Sequence, residues 1–258
     1  MTFARLRDRS IAFEDTGGDG TPVVFLHAAT GSAAMWEGQL AAFAAAGHRS
    51  VAFDRVGSGQ STLDSNADPG SAADDLQALV EHLGLGRFHL VGTAAGGIVA
   101  LDYAATFQHH LRSLVVANSI GGVQDDEYLA MQARLRPAPA FDALPPDVRE
   151  LGPSYRALNE EGTARWLELV RTSRAAHPIV APQRPRNPVT FGLLESIGVP
   201  ALLITGDADL YCPPSVLRLF AARIPNSQMI VASECGHSAY WEQPDIFNRM
   251  VLEFIAAH

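Results

Sequence analysis

The chain has 258 residues, with 19 Lys and Arg against 28 Asp and Glu, so its formal charge is −9 at neutral pH. A composition that is 47% apolar and 18% charged belongs to a globular chain able to bury a core, which excludes a disordered or collagen-like protein. The length fits one large α/β domain, and an acidic balance without a basic run argues against nucleic acid or an anionic membrane as a partner.

No apolar stretch follows Met1-Thr2-Phe3-Ala4-Arg5, and the Ala-rich piece from Ala41 to Gly47 is too short to span a bilayer, so a cytoplasmic protein is expected. Cys212 and Cys235 lack the spacing of a disulfide framework or a zinc site and read as passive thiols. No metal or organic cofactor is expected. The partner is a small-molecule substrate, and the chain is expected to be a monomer or a homodimer.

Ala4 to Arg7 and Ser10 to Asp15 read as a leading hairpin at a sheet edge. Short apolar runs then recur: Pro22 to Leu26, Arg49 to Phe53, Phe88 to Val91, Leu111 to Ala117, Pro200 to Thr205 and Gln228 to Val231. They do not alternate, as expected of strands buried on both faces of a mostly parallel sheet. Helical patterns fall between them. Ser71 is a predicted N-cap for 72–83, with Asp74 and Asp75 in the first turn and Gly84 past the end. Ala95 to Phe107, Pro214 to Arg223 and Pro244 to Ala257 are the other expected helices, the last two with proline where its missing N–H costs nothing. From Gly121 to Asn187 the rhythm breaks into a stretch rich in proline and charge, with helical pieces such as Thr163 to Thr172. This is read as a helical lid, 121–187, inserted into a core made of 1–120 and 188–258.

The sharpest segment is Leu90-Val91-Gly92-Thr93-Ala94-Ala95-Gly96-Gly97, a strand running through a turn into a helix. Glycine two before and two after a central residue is what a strained strand-to-helix elbow needs, and it puts position 94 where a nucleophile would stand. Here that residue is Ala94. Asp209 follows the Pro200 strand and His237 follows the Gln228 strand. Open α/β sheets build their sites at the carboxyl ends of strands, so the acid and the imidazole are expected to meet there as a general base and its orienter.

With these pieces in order, the chain resembles the α/β-hydrolase fold family over essentially its full length. The family's order of nucleophile, acid and histidine is matched by Ala94, Asp209 and His237. Its oxyanion strand-loop resembles Val24-Phe25-Leu26-His27-Ala28-Ala29-Thr30-Gly31, and its Asp-x-Arg-Gly-x-Gly-x-Ser turn resembles Asp54-Arg55-Val56-Gly57-Ser58-Gly59-Gln60-Ser61. The resemblance implies that the backbone amides of Ala29 and Ala95 form an oxyanion hole. It also points to a small-molecule branch that includes meta-cleavage-product hydrolases, enol-lactonases and aminoacrylate hydrolases. Substrate contacts are expected from His27, Trp36, Asn118, Tyr155, Trp166 and Trp241.

Three residues depart from the family pattern: Ala94 for the nucleophilic Ser, Ala28 for Gly and Val56 for Arg. Ala94 could be native or a deliberate Ser replacement, and the departures at 28 and 56 favour a native residue. A methyl cannot attack a carbonyl, so covalent catalysis through position 94 is excluded. Thr93, Cys212 and Cys235 are alternative nucleophiles to be tested against the fold. Three functional classes remain: a hydrolase of an ester, lactone or diketone C–C bond, a non-hydrolytic dyad enzyme such as a cofactor-free dioxygenase or lyase, and an inactive binding protein.

Overall fold

The computed structural model describes residues 1–175 and 182–258. β1 (Thr2–Leu6) and β2 (Arg9–Asp15) form the leading antiparallel hairpin. β3 (Pro22–Leu26), β4 (Arg49–Phe53), β6 (Phe88–Thr93), β7 (Leu111–Ala117), β8 (Ala201–Gly206) and β9 (Ser227–Ala232) run parallel. The sheet order is β1-β2-β4-β3-β6-β7-β8-β9, and the two-residue β5 (Thr62–Leu63) pairs with β2. The late strands extend by one or two residues past the apolar runs, because ladder hydrogen bonds carry the pairing to Thr93, Gly206 and Ala232.

The sheet is covered on both faces, which accounts for strands without polar alternation. Val24, Leu26, Val51, Phe53, Leu90, Leu114, Val116 and Leu203 point to one core. It is closed by α2 (Ala72–His82), α3 (Ala95–Phe107) and α9 (Pro214–Ala221). Val23, Phe25, Ala52, Val91, Val115, Ala117, Leu202 and Ile204 point to the other, beneath α1 (Glu37–Ala45) and α11 (Pro244–Ala256). Helix α1 escapes a periodicity reading because its alanines leave almost no apolar stripe; it buries Gln39, Leu40 and Phe43. Ser71 caps α2 as expected, its hydroxyl accepting from Ala73 N. Asp75 does more than meet the helix dipole: it is buried against Arg9 (2.8 Å) and Gln183 (2.7 Å).

Between β7 and β8 the chain forms α4 (Asp126–Leu135), α5 (Pro146–Glu150), α6 (Pro153–Leu158), α7 (Glu160–Ala175) and α8 (Phe191–Glu195). Its return to the core is tied down by polar contacts. Asp102 on α3 accepts from Arg186 N and from both the backbone and side chain of Asn187 at 2.7–2.9 Å.

Where β6 turns into α3, backbone lies against backbone. A Cβ on Gly92 would lie 2.4 Å from Gly96 O, and one on Gly96 would lie 2.2 Å from Leu26 O. Neither clash can be relieved by rotating a side chain. Gly96→Ala is therefore expected to cost about 3 kcal/mol or more in denaturant unfolding. Gly86→Ala, with nothing within 4 Å of the new methyl, should stay within about 0.5 kcal/mol of the unaltered chain.

Candidate active site

The glycines at the turn hold Ala94 at φ 49°, ψ −115°, a conformation that costs a residue with a Cβ about 1–3 kcal/mol. Ala94 N donates to Ala117 O (3.0 Å), and the Ser119 hydroxyl donates to Ala94 O (2.6 Å), so β7 and the loop behind it hold the turn in place. The methyl of Ala94 lines a cavity of about 240 Å³ together with Ala29, Ala95 and His237. Among the described residues neither the Ala29 nor the Ala95 backbone N–H has an acceptor.

His237 and Asp209 meet. Imidazole Nδ1 stands 2.9 Å from both Asp209 oxygens. Their two loops pack backbone on backbone at Gly206, where a Cβ would lie 1.9 Å from Cys235 O. Asp209 Oδ1 also accepts from Tyr211 N (2.8 Å) and Cys212 N (2.9 Å), and Oδ2 from the Asn118 amide (3.1 Å). Burial alone would raise the Asp209 pKa, but the facing imidazole and these donors hold it below the usual carboxylate value. Burial pulls the other way on His237, where the Asp209 charge and hydrogen bond outweigh it and lift the imidazole above its ordinary 6.5.

Several expected substrate contacts lie elsewhere. His27 is buried and works as a brace: Nε2 accepts from Arg55 N (3.0 Å), which leaves the proton on Nδ1 to donate to Ala28 O (2.7 Å). Burial, then the Arg55 charge, holds His27 neutral. Asn118 is fully buried and holds Asp209 and Gly236 O (3.0 Å) rather than facing the cavity. Trp36 sits in the core against Phe25 and Tyr240, and Trp166 is likewise fully buried in the same core, where large side chains fill the space over one face of the sheet. Tyr155 and Trp241 line a separate surface groove beside Gln39. The short helix α10 (Ala239–Glu242) rotates Trp241 away and turns Glu242 inward.

The alternative nucleophiles fare no better. Thr93 is fully buried, and burial pushes both cysteine thiols up, Cys212 well above its ordinary value. The Asp54 turn is structural as well. Its carboxylate accepts from Ala33 N and Gln60 N, both at 2.7 Å, while Val56 fills core space where the family pattern has Arg.

The sequence reading passed over Tyr211, Arg136, Arg149 and Glu150, which all line the cavity. The Tyr211 ring lies 4.3 Å from the His237 ring, and the Arg136 guanidinium lies 5.3 Å over Tyr211. Glu150 O accepts from His237 N (3.0 Å). Tyr211 stands two residues after the acid, a proximity that could have flagged it; the other three come from the inserted segment and carry no motif.

A strand-turn-helix elbow facing an Asp-supported histidine across a small cavity defines an α/β-hydrolase site, and the chain belongs to the alpha/beta hydrolase family, whose model matches residues 23–250. It is similar to the 2-hydroxy-6-oxononadienedioate/2-hydroxy-6-oxononatrienedioate hydrolase of Burkholderia vietnamiensis, 30% identical over 95% of this chain and 90% of the relative. A second hydrolase of the same name, from Pseudomonas putida, is 31% identical over 98% of this chain and 95% of its own length. Among solved structures it is similar to a thermophilic esterase from Thermogutta terrifontis, with malate bound, at TM-score 0.79 and 25% identity over 100% of this chain and 99% of the other. The relatives named as hydrolases place this chain in the hydrolase class.

Glu242 ties the inserted segment to the histidine loop. Its carboxylate accepts from Gly152 N (2.8 Å), Gly236 N (2.9 Å) and Ser238 N (3.1 Å) while buried. Glu242→Ala would orphan three buried amides, and a loss of about 3 kcal/mol in chemical denaturation is expected, with Glu242→Gln intermediate.

Proposed function

We propose that the protein hydrolyses a small carbonyl compound, an ester, a lactone or the C–C bond of a diketone, by water that His237 activates without any nucleophilic side chain. The observation that carries this reading is the 2.9 Å pairing of His237 Nδ1 with Asp209 on the wall of the cavity that Ala94 also lines. With Nδ1 committed to the acid, Nε2 is the nitrogen available to the cavity, and Ala94 leaves room for water where a hydroxyl would stand.

In this reading Nε2 takes a proton from water as the oxygen adds to the substrate carbonyl carbon. The carbonyl π electrons move onto oxygen, which the Ala29 and Ala95 amides and the positive end of the α3 dipole stabilise. When the intermediate collapses, the imidazolium returns its proton to the leaving oxygen or carbon. Asp209 keeps its charge throughout and stabilises the imidazolium. The relatives' printed name, for a 2-hydroxy-6-oxo dienedioate, supports a substrate that pairs an enol with a ketone. Residues 121–187 act as the lid, a role supported by Arg136, Arg149 and Glu150 facing the cavity and by the Glu242, Asp75 and Asp102 contacts that hold the segment down.

On a panel of small esters, lactones and meta-cleavage-type dienones, His237→Ala is expected to lower kcat by about 10²–10⁴. Ala94→Ser should bring less than about a tenfold gain. An unaltered chain inactive on the whole panel beside an active Ala94→Ser variant would overturn the serine-independent mechanism, as would a His237→Ala variant of undiminished rate.

The base must be neutral to accept a proton. Because Asp209 raises the His237 pKa, kcat/KM is expected to climb with pH through a limb centred above 6.5. In Asp209→Asn the main charge opposing burial is removed and only those of Glu150 and Glu242 remain, so whatever activity survives should show that limb shifted to lower pH.

A further inference from the structure

A second cavity, of about 260 Å³, lies on the far side of the first turn of α3, and Ala95 and Ile98 belong to the walls of both. Arg55 lines it. The guanidinium is anchored at one point, Nη2 donating to Ala28 O (3.0 Å), and its backbone is held by His27. Nε is buried without an acceptor, and no carboxylate pairs with Arg55 among the described residues. Residues 176–181, Ala-His-Pro-Ile-Val-Ala, contain no acid that could supply one. The one carboxylate among its lining residues, Asp102, is taken up by Arg186 N and Asn187. Arg184, also on the wall, adds a second positive charge. Burial without a counter-charge lowers the Arg55 pKa to about 10.

The Arg55 side chain is half-buried, its Nε is shut from water without an acceptor, and its planar fork of donors matches a carboxylate. The Asp54 turn and the His27 brace hold it rigidly beside the predicted oxyanion amides. In a chain of net charge −9, that is a local site for an anion of carboxylate size.

From this juxtaposition we infer that Arg55 is a carboxylate-recognition residue: it receives the carboxylate end of a substrate whose carbonyl lies at Ala94, the ligand passing the small Ala95 wall. The inference rests on the acid/base reading only in taking the bound carboxylate to be the substrate's own.

Glutarate and its uncharged dimethyl ester are the probes, followed by calorimetry and by ligand-induced change in Tm near neutral pH. Glutarate is expected to bind the unaltered chain and raise its Tm. Binding should weaken about tenfold or more in Arg55→Gln and less in Arg55→Lys, while dimethyl glutarate should give no difference between the proteins. A crystal of the unaltered chain soaked in glutarate, which requires no variant to fold, should show a carboxylate on Arg55. Equal glutarate binding by the unaltered chain and Arg55→Gln, no binding at all, or glutarate seated only on Arg136 and Arg149 would overturn the inference. For substrate assignment, mono(4-nitrophenyl) glutarate is compared with 4-nitrophenyl butyrate, and Arg55→Gln should lower the kcat/KM ratio of the charged to the neutral ester about tenfold or more. An unchanged ratio would make the anion a separate ligand and overturn that assignment. Glutarate bound at Arg55 in a chain inactive on every ester would sink the hydrolytic mechanism and leave the anion site standing.

Discussion

Everything at this site depends on how closely helix α3 approaches the sheet. Gly92 and Gly96 let the backbones of β6, α3 and the end of β3 touch at distances that a Cβ would forbid. That contact forces Ala94 into its strained conformation and aims the first amides of α3 at the space above the sheet. It also seats the Ala28–Ala29 loop beside the Ala95 amide, so both faces of the turn open onto cavities. The strain is maintained by neighbours that can relax only by unfolding, such as the Ala94 N to Ala117 O bond in the sheet.

On this scaffold the electrostatics are arranged by burial as much as by charge. Asp209 stays ionised inside the protein because backbone amides, Asn118 and an imidazole all serve it. His27 is held neutral by burial and by an arginine, and so acts as a brace where His237, facing a carboxylate, gains basicity. Two histidines near the same elbow are thus driven apart in pKa by their partners. Glu242 extends the arrangement: one buried carboxylate gathers amides from the histidine loop and from the inserted segment. Movement of that segment would therefore be felt at His237.

The overall charge misrepresents the site. A chain of net charge −9 places Arg136 and Arg149 on one cavity and Arg55 and Arg184 on the other, so the field at the elbow is set by these guanidinium groups together with the buried carboxylates around His237. Bulk charge governs encounter at long range and is screened within about a Debye length, whereas charges lining a cavity act at close range on whatever binds there.

The sequence alone determined the sheet, the elbow and the chain positions of Ala94, Asp209 and His237, because each is written locally: unalternating apolar runs for strands buried on both sides, glycines at fixed offsets around a turn, and an acid and a histidine after successive strands. It overreached with the large aromatics. Whether Trp36 and Trp166 fill a core or face a ligand depends on which side of the sheet lacks volume, and no local pattern records that. Asn118 and His27 show the same limit, since a polar residue at a strand end can serve substrate or scaffold, and only the partners at 2.7–3.1 Å decide which. The second cavity, the arginines brought in by the inserted segment and the Glu242 contacts were settled by tertiary structure alone. They join residues far apart in the chain through packing and burial, quantities that exist only once the chain has folded.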